Sequence, residues 1–182
     1  MSAPRLRRSG AYTLIELMMV LVIVLIVLGL AMPNFQAMRE RQRLRVAVND
    51  LFGAISLTRS LAIARGSAVA LAPSEPAGTA WERGWIVFSD DNANRRPDPG
   101  EERLFEQGPQ EEGIVIVSHF TSGAAPHYIA YNSAGRSCKT GHSGVANFGT
   151  LTINLGQQQR MIKVNMLGRA RVCNPETDPD CA

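Results

Sequence analysis

The sequence predicts an α+β protein in which a long N-terminal helix packs on a small head domain rich in antiparallel β-strands. An apolar run fills residues 12–32 and carries a single charge, Glu16. Residues 34–65 continue with apolar side chains at roughly helical spacing that form one broad face, namely Phe35, Met38, Leu44, Val48, Leu51, Ile55, Leu57, Leu61 and Ile63. From Ser67 onward, short β-like runs alternate with segments rich in Gly, Pro, Asn and Asp. One long helix followed by one β-rich domain accounts for this order.

The apolar run is long enough to cross a membrane, since about 20 apolar residues span a bilayer as a helix. The flank before it carries Arg5, Arg7 and Arg8 and no acid, and such a flank stays in the cytoplasm. We therefore predict a cytoplasmic leader over residues 1–11, a membrane-spanning segment over residues 12–33, and the rest of the chain on the far side. A carboxylate inside a span costs roughly 2.5–3.5 kcal/mol, which indicates a function for Glu16.

Two ordinary explanations of this segment fit less well. A cleaved secretory signal has an apolar region of about 7–15 residues followed by a small-residue cleavage site. Here the run is longer, and the small pair Gly10 and Ala11 precedes it. A plain signal anchor would leave Glu16 unexplained.

The second segment of the helix, residues 34–66, is predicted to end at Gly66 and to pack on the head through its apolar face. The head is predicted to be one domain over residues 67–182. Its expected strands lie at residues 68–71, 84–88, 104–105, 114–117, 128–131, 150–153, 161–164 and 170–172.

Charge is distributed unevenly within the head. The net charge of the chain is +3, but without the three leader arginines the 19 basic residues fall to 16, equal to the 16 acids. Residues 75–112 hold ten acids and four bases, whereas residues 113–175 hold no acid, six bases and all three histidines. Such asymmetry points to an anionic partner. The alternative is a solvated strand edge that charge keeps soluble.

Two arginines stand out in the acid-free stretch. On a strand, the side chains of Arg169 and Arg171 would project to the same side about 6.5–7 Å apart, close to the spacing of adjacent phosphates on a nucleic-acid strand. Gly168 permits a turn or a close approach just before them. The supporting charges would come from the other bases of the stretch, Lys163, Arg160, Arg136 and Lys139.

The three cysteines suit an oxidising compartment such as the periplasm. Cys138, Cys173 and Cys181 allow three pairings, each of which leaves one free thiol. A bridge from Cys173 to Cys181 would close a tail loop beside the arginine pair, and it is favoured narrowly over a bridge from Cys138 to Cys173.

The sequence carries no strong catalytic or metal-binding pattern. The histidines lack metal-ligand spacing, and no Gly-x-Ser-x-Gly, Walker or Rossmann pattern occurs, so we predict no enzyme, no cofactor and no metal. One loop is a weak calcium candidate, although arginine replaces the glycine of an EF-hand and such turns are common without metal. Its residues are Asp90, Asn92, Asn94, Asp98 and Glu101.

The residues around the start of the apolar run, Ser9–Leu17, resemble the type III signal of type IV pilins and type II secretion pseudopilins. In that family a prepilin peptidase removes the leader on the cytoplasmic face and the new N-terminus is methylated. The resemblance implies a single-pass protein of the inner membrane with a periplasmic head. It also implies assembly with other major and minor pilins into a filament, which places the protein in an extracellular pilus.

The resemblance leaves two possible cleavage sites. The glutamate of the family is the fifth mature residue; cutting after Gly10 makes Glu16 the sixth, and cutting after Ala11 makes it the fifth, with Tyr12 as the new N-terminus. The second register is favoured because it also puts Pro33 at position 22, where long pilin helices usually kink. In the apolar filament core, the resemblance implies that Glu16 pairs with the N-terminal amine of a neighbouring subunit.

Sequence patterns in the head are similar to one branch of this family, the GspH/FimT group of minor pilins and pseudopilins. Residues 81–88, the Asp/Asn-rich loop after them and the segment 168–171 are similar to that group, whose members join a long helix to a small two-sheet head. In FimT-type minor pilins a Gly-Arg-x-Arg motif is associated with DNA binding in natural transformation, which implies that Arg169 and Arg171 contact DNA. The alternatives are a tip or priming minor pilin without DNA binding and a GspH-like pseudopilin of a type II secretion system.

Overall fold

The first element of the protein is a long helix. A computed structural model describes residues 13–181, except for the side chains of residues 30–34 and 180. Helix α1 runs Leu14–Arg65. Thr13 caps its start, because the Thr13 Oγ1 accepts a hydrogen bond from the backbone N–H of Glu16 at 3.3 Å. Gly66, with φ of +65°, follows the last helical residue, which is where the sequence predicts the end.

The helix has two apolar stretches in different surroundings. Over Leu14–Gly29 the side chains are exposed. The stretch Phe35–Arg65 is long and apolar enough to cross a membrane by length and composition alone, yet it is partly buried. The chain divides into one compact unit that ends at Arg39 and a second that begins at Glu40. Most of the second stretch is therefore the core helix of the head.

One face of the helix in the head is buried at intervals of three and four residues, the periodicity of an amphipathic helix. Phe35, Met38 and Ile63, which we expected on this face, are more than half exposed. The centre of the predicted face is correct. Its buried residues are Leu44, Ala47, Val48, Leu51, Ala54, Ile55, Thr58 and Ala62.

Within the described residues, nine strands follow the helix. They are β1 (Val69–Pro73), β2 (Trp85–Phe88), β3 (Arg103–Gln107), β4 (Ile114–Phe120), β5 (Ile129–Tyr131), β6 (Ser137–Cys138), β7 (Gly149–Leu155), β8 (Gln158–Val164) and β9 (Ala170–Cys173). Each of the eight expected runs coincides with one of them. The strand β6 was not expected, because two residues cannot show an alternating pattern.

The strands form two antiparallel sheets. The first has the order β3-β2-β1-β5-β6 and the second the order β4-β7-β8-β9. The predicted fold class, a long helix with a two-sheet antiparallel head, is confirmed. In the second sheet β9 is an edge strand, which leaves one side of it unpaired within the sheet.

The helix and the inner faces of both sheets share one hydrophobic core. Trp81 and Trp85 are fully buried in it together with Leu51, Leu71 and Leu151. The Trp81 indole also donates a hydrogen bond to the Ser118 Oγ at 3.1 Å, which satisfies a polar group that burial would otherwise leave unpaired. The core covers the inner face of the second sheet, so Lys163, which alternates with the buried Ile162 and Val164 on β8, lies on the outer face.

Candidate nucleic-acid interface

Arg169 lies at the end of the tight turn that joins strand β8 to strand β9. The backbone oxygen of Asn165 accepts a hydrogen bond from the N–H of Gly168 at 2.9 Å. The Asn165 side-chain oxygen accepts two more, from the N–H of Leu167 at 3.0 Å and of Arg169 at 2.9 Å. Gly168 has φ of +79°, a left-handed conformation that favours glycine. The turn therefore fixes the backbone immediately before Arg169.

Gly168 is also a point of close approach between the two sheets. A Cβ at this position would lie 2.3 Å from the Gly135 oxygen and 2.8 Å from the Tyr131 Cε1. Both the conformation and the space therefore require glycine. The sequence-based expectation was a turn or a close approach, and the structure contains both.

Three cations meet at one groove on the outer face of the second sheet. Lys163 pairs with Arg171 across β8 and β9, and with Thr150 across β8 and β7, so their side chains share a face. The groove has a volume of about 730 Å³. None of the nine residues that line it is acidic. They are Phe148, Gly149, Thr150, Lys163, Val164, Asn165, Arg169, Ala170 and Arg171.

This arrangement is suited to binding oxyanions. Arginine guanidinium groups present planar donors that match phosphate oxygens, and lysine adds a point charge. Phe148 is 38% exposed beside these cations and offers an aromatic surface to a base. Phe148 and Thr150 were not expected from the sequence. The cross-strand neighbours of Lys163 identify Thr150, but only once the register of β7 and β8 is known.

The other three expected cations lie outside this groove. Arg160 is on the opposite face of β8 from Lys163, and its Nη1 donates to the Asn174 Oδ1 at 2.9 Å. Lys139 lines a separate cavity together with Asp90 and Asp91. Arg136 is exposed on the turn that contacts Gly168, near the groove but not in its wall.

A disulfide closes the tail after β9. Cys173 and Cys181 are bridged with a Cα–Cα distance of 5.7 Å, which is the pairing that the sequence favoured narrowly. The hydrogen bond from Arg160 to Asn174 holds the start of this loop on β8. Cys138 is a buried free thiol, and burial raises its pKa, which makes it a poor nucleophile.

The acidic loop is closed by its own hydrogen bonds. The amide nitrogens of Asn92 and Asn94 donate to the Asp98 Oδ2, and the Glu101 carboxylate accepts from the backbone N–H of Asp91 and Asp98. Burial raises the pKa of Asp90, while the N–H of Arg95 partly offsets it. In the part of the chain that the structure describes, no group of three His, Cys, Asp or Glu side chains is placed to hold a metal ion. The polar side chains of the calcium pattern are instead engaged with one another and with the backbone of the loop.

The residues expected in processing, Gly10, Ala11 and Tyr12, lie outside the described residues. Glu16 lies in the first turn of the helix and is exposed. With Thr13 it forms the Thr-x-x-Glu pattern of a helix start, and its charge is favourable near that end of the helix.

Both the N-terminal segment of the chain and its head match known protein families. Residues 47–168 match the family model of the type II transport protein GspH, and residues 6–32 match that of the prokaryotic N-terminal methylation motif. The chain is 42% identical over 164 residues to the pilin-like protein PilA1 of Thermus thermophilus, an alignment that covers 88% of this chain and 96% of that protein.

Solved structures show the same fold. The type IV minor pilin FimU of Pseudomonas aeruginosa matches with a TM-score of 0.55 at 15% identity over 78% of this chain and 96% of that chain. A second crystal form of FimU matches with a TM-score of 0.51 at 12% identity over 75% and 98%.

A long helix with a methylation motif and a two-sheet head define a pilin-type filament subunit. The chain belongs to the GspH family. It is thus a minor pilin or pseudopilin of a type IV pilus or a type II secretion system, and membership implies assembly with other pilins. The methylation motif and the apolar N-terminal helix fit a membrane-anchored pilin that is assembled into a pilus. The family predicted from the sequence is confirmed.

Proposed function

We propose that this protein is a minor pilin of a type IV pilus whose head binds DNA through backbone phosphates during DNA uptake. The observation that carries the proposal is the groove whose wall brings Lys163, Arg169 and Arg171 together. The likeness to a pilin-like protein at 42% identity supports the pilus over the secretion system.

The proposed binding is independent of DNA sequence. The groove offers charge and one aromatic ring, and no helix in it could enter the major groove to contact base edges. Backbone contacts release counterions, so the logarithm of the association constant falls with the logarithm of salt concentration by about 0.9 per phosphate contacted. Three contacts correspond to a slope of about −2.7.

Membrane insertion and filament assembly are the second part of the proposal. Cleavage after Ala11 by prepilin peptidase leaves Tyr12 as a methylated N-terminus, and the head lies in the periplasm before assembly. In the filament, the exposed carboxylate of Glu16 pairs with the N-terminal amine of a neighbouring subunit, because an unpaired charge in an apolar core is costly.

The test of DNA binding uses the processed full-length chain in non-ionic detergent and a short duplex of random sequence. In a gel shift, R169Q/R171Q is expected to abolish the shift at moderate salt and to reduce the salt slope by about 1.8. The matched control is R41Q/R45Q, which removes two exposed charges elsewhere on the helix. Unchanged binding by R169Q/R171Q at low salt, or an equal loss in the control, would overturn the proposal.

A GspH-like pseudopilin of a type II secretion system is the second candidate, because the family model that matches residues 47–168 is that of a type II transport protein. Deletion of the gene distinguishes a minor pilin from a pseudopilin. Loss of pili or of DNA uptake supports the minor pilin, whereas a loss of protein secretion with normal pili supports the pseudopilin. A tip or priming minor pilin predicts loss of pili and a head that does not shift DNA.

A further inference from the structure

Three large apolar side chains lie exposed at one end of the groove. Met166 and Leu167, at the tip of the β8–β9 turn, are 56% and 52% exposed, and Phe148, in the wall of the groove, is 38% exposed. We call these three residues the apolar tip. Asn165 precedes Met166, Arg169 follows the turn, and both line the groove. The apolar tip is therefore continuous with the cationic wall of the groove.

The residues of the turn are unusual for its conformation. Tight turns favour Gly, Pro, Asn, Asp and Ser, whereas Met166 and Leu167 occupy the two central positions of this one. The hydrogen bonds of Asn165 and the packing of Gly168 against the first sheet fix the backbone of the turn, so the two side chains are held largely in solvent. Apolar side chains that are exposed as a group and rimmed by polar residues are typical of a contact surface.

Phe148 is held in place through its backbone. Its N–H donates to the Thr121 Oγ1 at 3.1 Å, and its backbone oxygen accepts from the Thr121 N–H at 2.9 Å. Thr150 lies opposite Lys163 in the antiparallel pair of β7 and β8. Phe148 is two positions beyond Thr150, so it shares the outer face and lies about 6.5–7 Å further along the sheet. This spacing allows one nucleotide to place its phosphate at Lys163 and its base on Phe148.

An aromatic ring beside cations is suited to a nucleic acid whose base faces are accessible. Every base has a π-face, so stacking on an aromatic side chain is favourable for any sequence. In a duplex the bases stack on one another and their faces are covered, whereas a single strand exposes them. The cations attract both forms of DNA. The apolar tip distinguishes between them.

We propose that the groove takes a single strand of DNA, with one base stacked on Phe148 and with Met166 and Leu167 packed against a neighbouring base. The inference rests on the proposed DNA binding, which requires the cations alone, and adds the form of DNA that the groove recognises. All three side chains are exposed, so a base reaches them without a rearrangement of the head. Because the fixed backbone holds the ring and the turn in place, the surface is preorganised for this ligand.

The experiment measures the affinity of the processed full-length chain, in non-ionic detergent, by fluorescence anisotropy over a range of chloride concentrations. The probes are a short oligothymidylate, an abasic strand of the same length and a duplex of the same length. The abasic strand keeps every phosphate and lacks the bases. Three phosphate contacts on a single strand predict a salt slope of about −2.1, and wild type should bind the oligothymidylate more tightly than the abasic strand.

Replacement of the ring separates stacking from charge. F148A is expected to weaken oligothymidylate binding about five- to hundredfold, the effect of one lost stack, at an unchanged salt slope. It should leave binding of the abasic strand and of the duplex unchanged. F148W keeps an aromatic face and should keep the affinity. M166S/L167S should weaken oligothymidylate binding severalfold, again at an unchanged slope.

The matched control is V115A, which truncates a valine that is 51% exposed on the outer face of the same sheet, on strand β4. It should bind all three probes as wild type does. Fluorescence of the buried Trp81 and Trp85 shows whether the head of each variant is folded. In F148W the added indole is exposed, so its quenching by the oligothymidylate should report the stacked base directly.

Several outcomes would overturn the inference and leave the groove standing. They are equal wild-type affinity for the oligothymidylate and the abasic strand, no larger loss in F148A than in V115A, and an equal loss of duplex binding in F148A. If no probe binds at low salt, the proposed DNA binding fails as well. With the chain reconstituted in vesicles, a change of F148W fluorescence with anionic lipid but not with the oligothymidylate would assign the apolar tip to a lipid surface. A change of oligomeric state in F148A at unchanged DNA affinity would assign it to a second copy of the chain, and either result overturns the inference.

Discussion

Replacement of Gly168 by alanine tests the geometry that positions the arginines. The new Cβ would lie 2.3 Å from the Gly135 oxygen, 2.8 Å from the Tyr131 Cε1 and 3.1 Å from the Ser137 nitrogen. Two of these three atoms belong to the backbone, so a rotamer change cannot relieve the contact. The turn before β9 has to move away from the first sheet.

The expected loss in the free energy of unfolding of G168A has two contributions. A left-handed conformation costs a residue with a side chain about 1–2 kcal/mol, and overpacking costs typically about 1–3 kcal/mol more. The variant G123A separates the two contributions, because Gly123 has a nearly equal φ of +75° and no atom within 4 Å of its ideal Cβ. We therefore expect G123A to lose only the conformational part and G168A to lose about 1–3 kcal/mol more.

The assay is urea unfolding followed by tryptophan fluorescence. Both tryptophans of the chain, Trp81 and Trp85, are fully buried in the head core, so the signal reports unfolding of the head. G168A should also weaken DNA binding although every cation is retained, because the turn that carries Arg169 is displaced. If G168A and G123A lose the same free energy of unfolding, the close approach at Gly168 does not contribute and the argument for a fixed Arg169 fails.

Two further predictions concern the ends of the chain. Co-expression with a prepilin peptidase is expected to give a product that begins with methylated Tyr12, and an intact mass that begins at Ala11 would instead select cleavage after Gly10. Reduction of the Cys173–Cys181 bridge, which joins residues eight apart in sequence, should lower the free energy of unfolding by about 2–3 kcal/mol. The C138S variant should respond to reductant as the wild type does, because Cys138 is not in the bridge; an equal stability with and without reductant would contradict the second prediction.

Local pattern was sufficient to predict the elements of the head but not their arrangement. The alternating runs gave eight strands, because alternation depends only on residues within a strand. The pairing of β1 with β5 joins segments separated by three intervening strands, and no local signal encodes it. The strand β6 depends on such pairing. Its Ser137 is buried and its hydroxyl donates to the backbone oxygen of Asn147, a contact that short-range pattern cannot show.

The cations of the site were predictable to the extent that they share a strand face. Arg171 and Lys163 are paired across the hairpin of β8 and β9. A single turn joins these strands, and side chains alternate between the two faces of each strand, so the two cations lie on the same face. The same period of two separates Arg160 from Lys163, since three positions along a strand change the face. The sequence analysis grouped Arg160 with Lys163 because both lie in the acid-free stretch. The alternation of side chains along β8 places them on opposite faces.

The contact of Arg59 with the turn before β6 could not be predicted by the same reasoning, because it depends on glycines in other elements. Gly135 allows the turn that contains it to lie on Arg59 and Ile63, and Gly168 allows the β8–β9 turn to lie on Gly135. The β8–β9 turn thus packs against the turn before β6, and that turn packs on the Arg59 and Ile63 side chains of the helix, so the position of Arg169 does not depend on the hairpin alone. It follows that the proposed DNA-binding surface requires a docked helix. A change that loosens the helix from the head should weaken DNA binding even when Arg169 and Arg171 are unchanged.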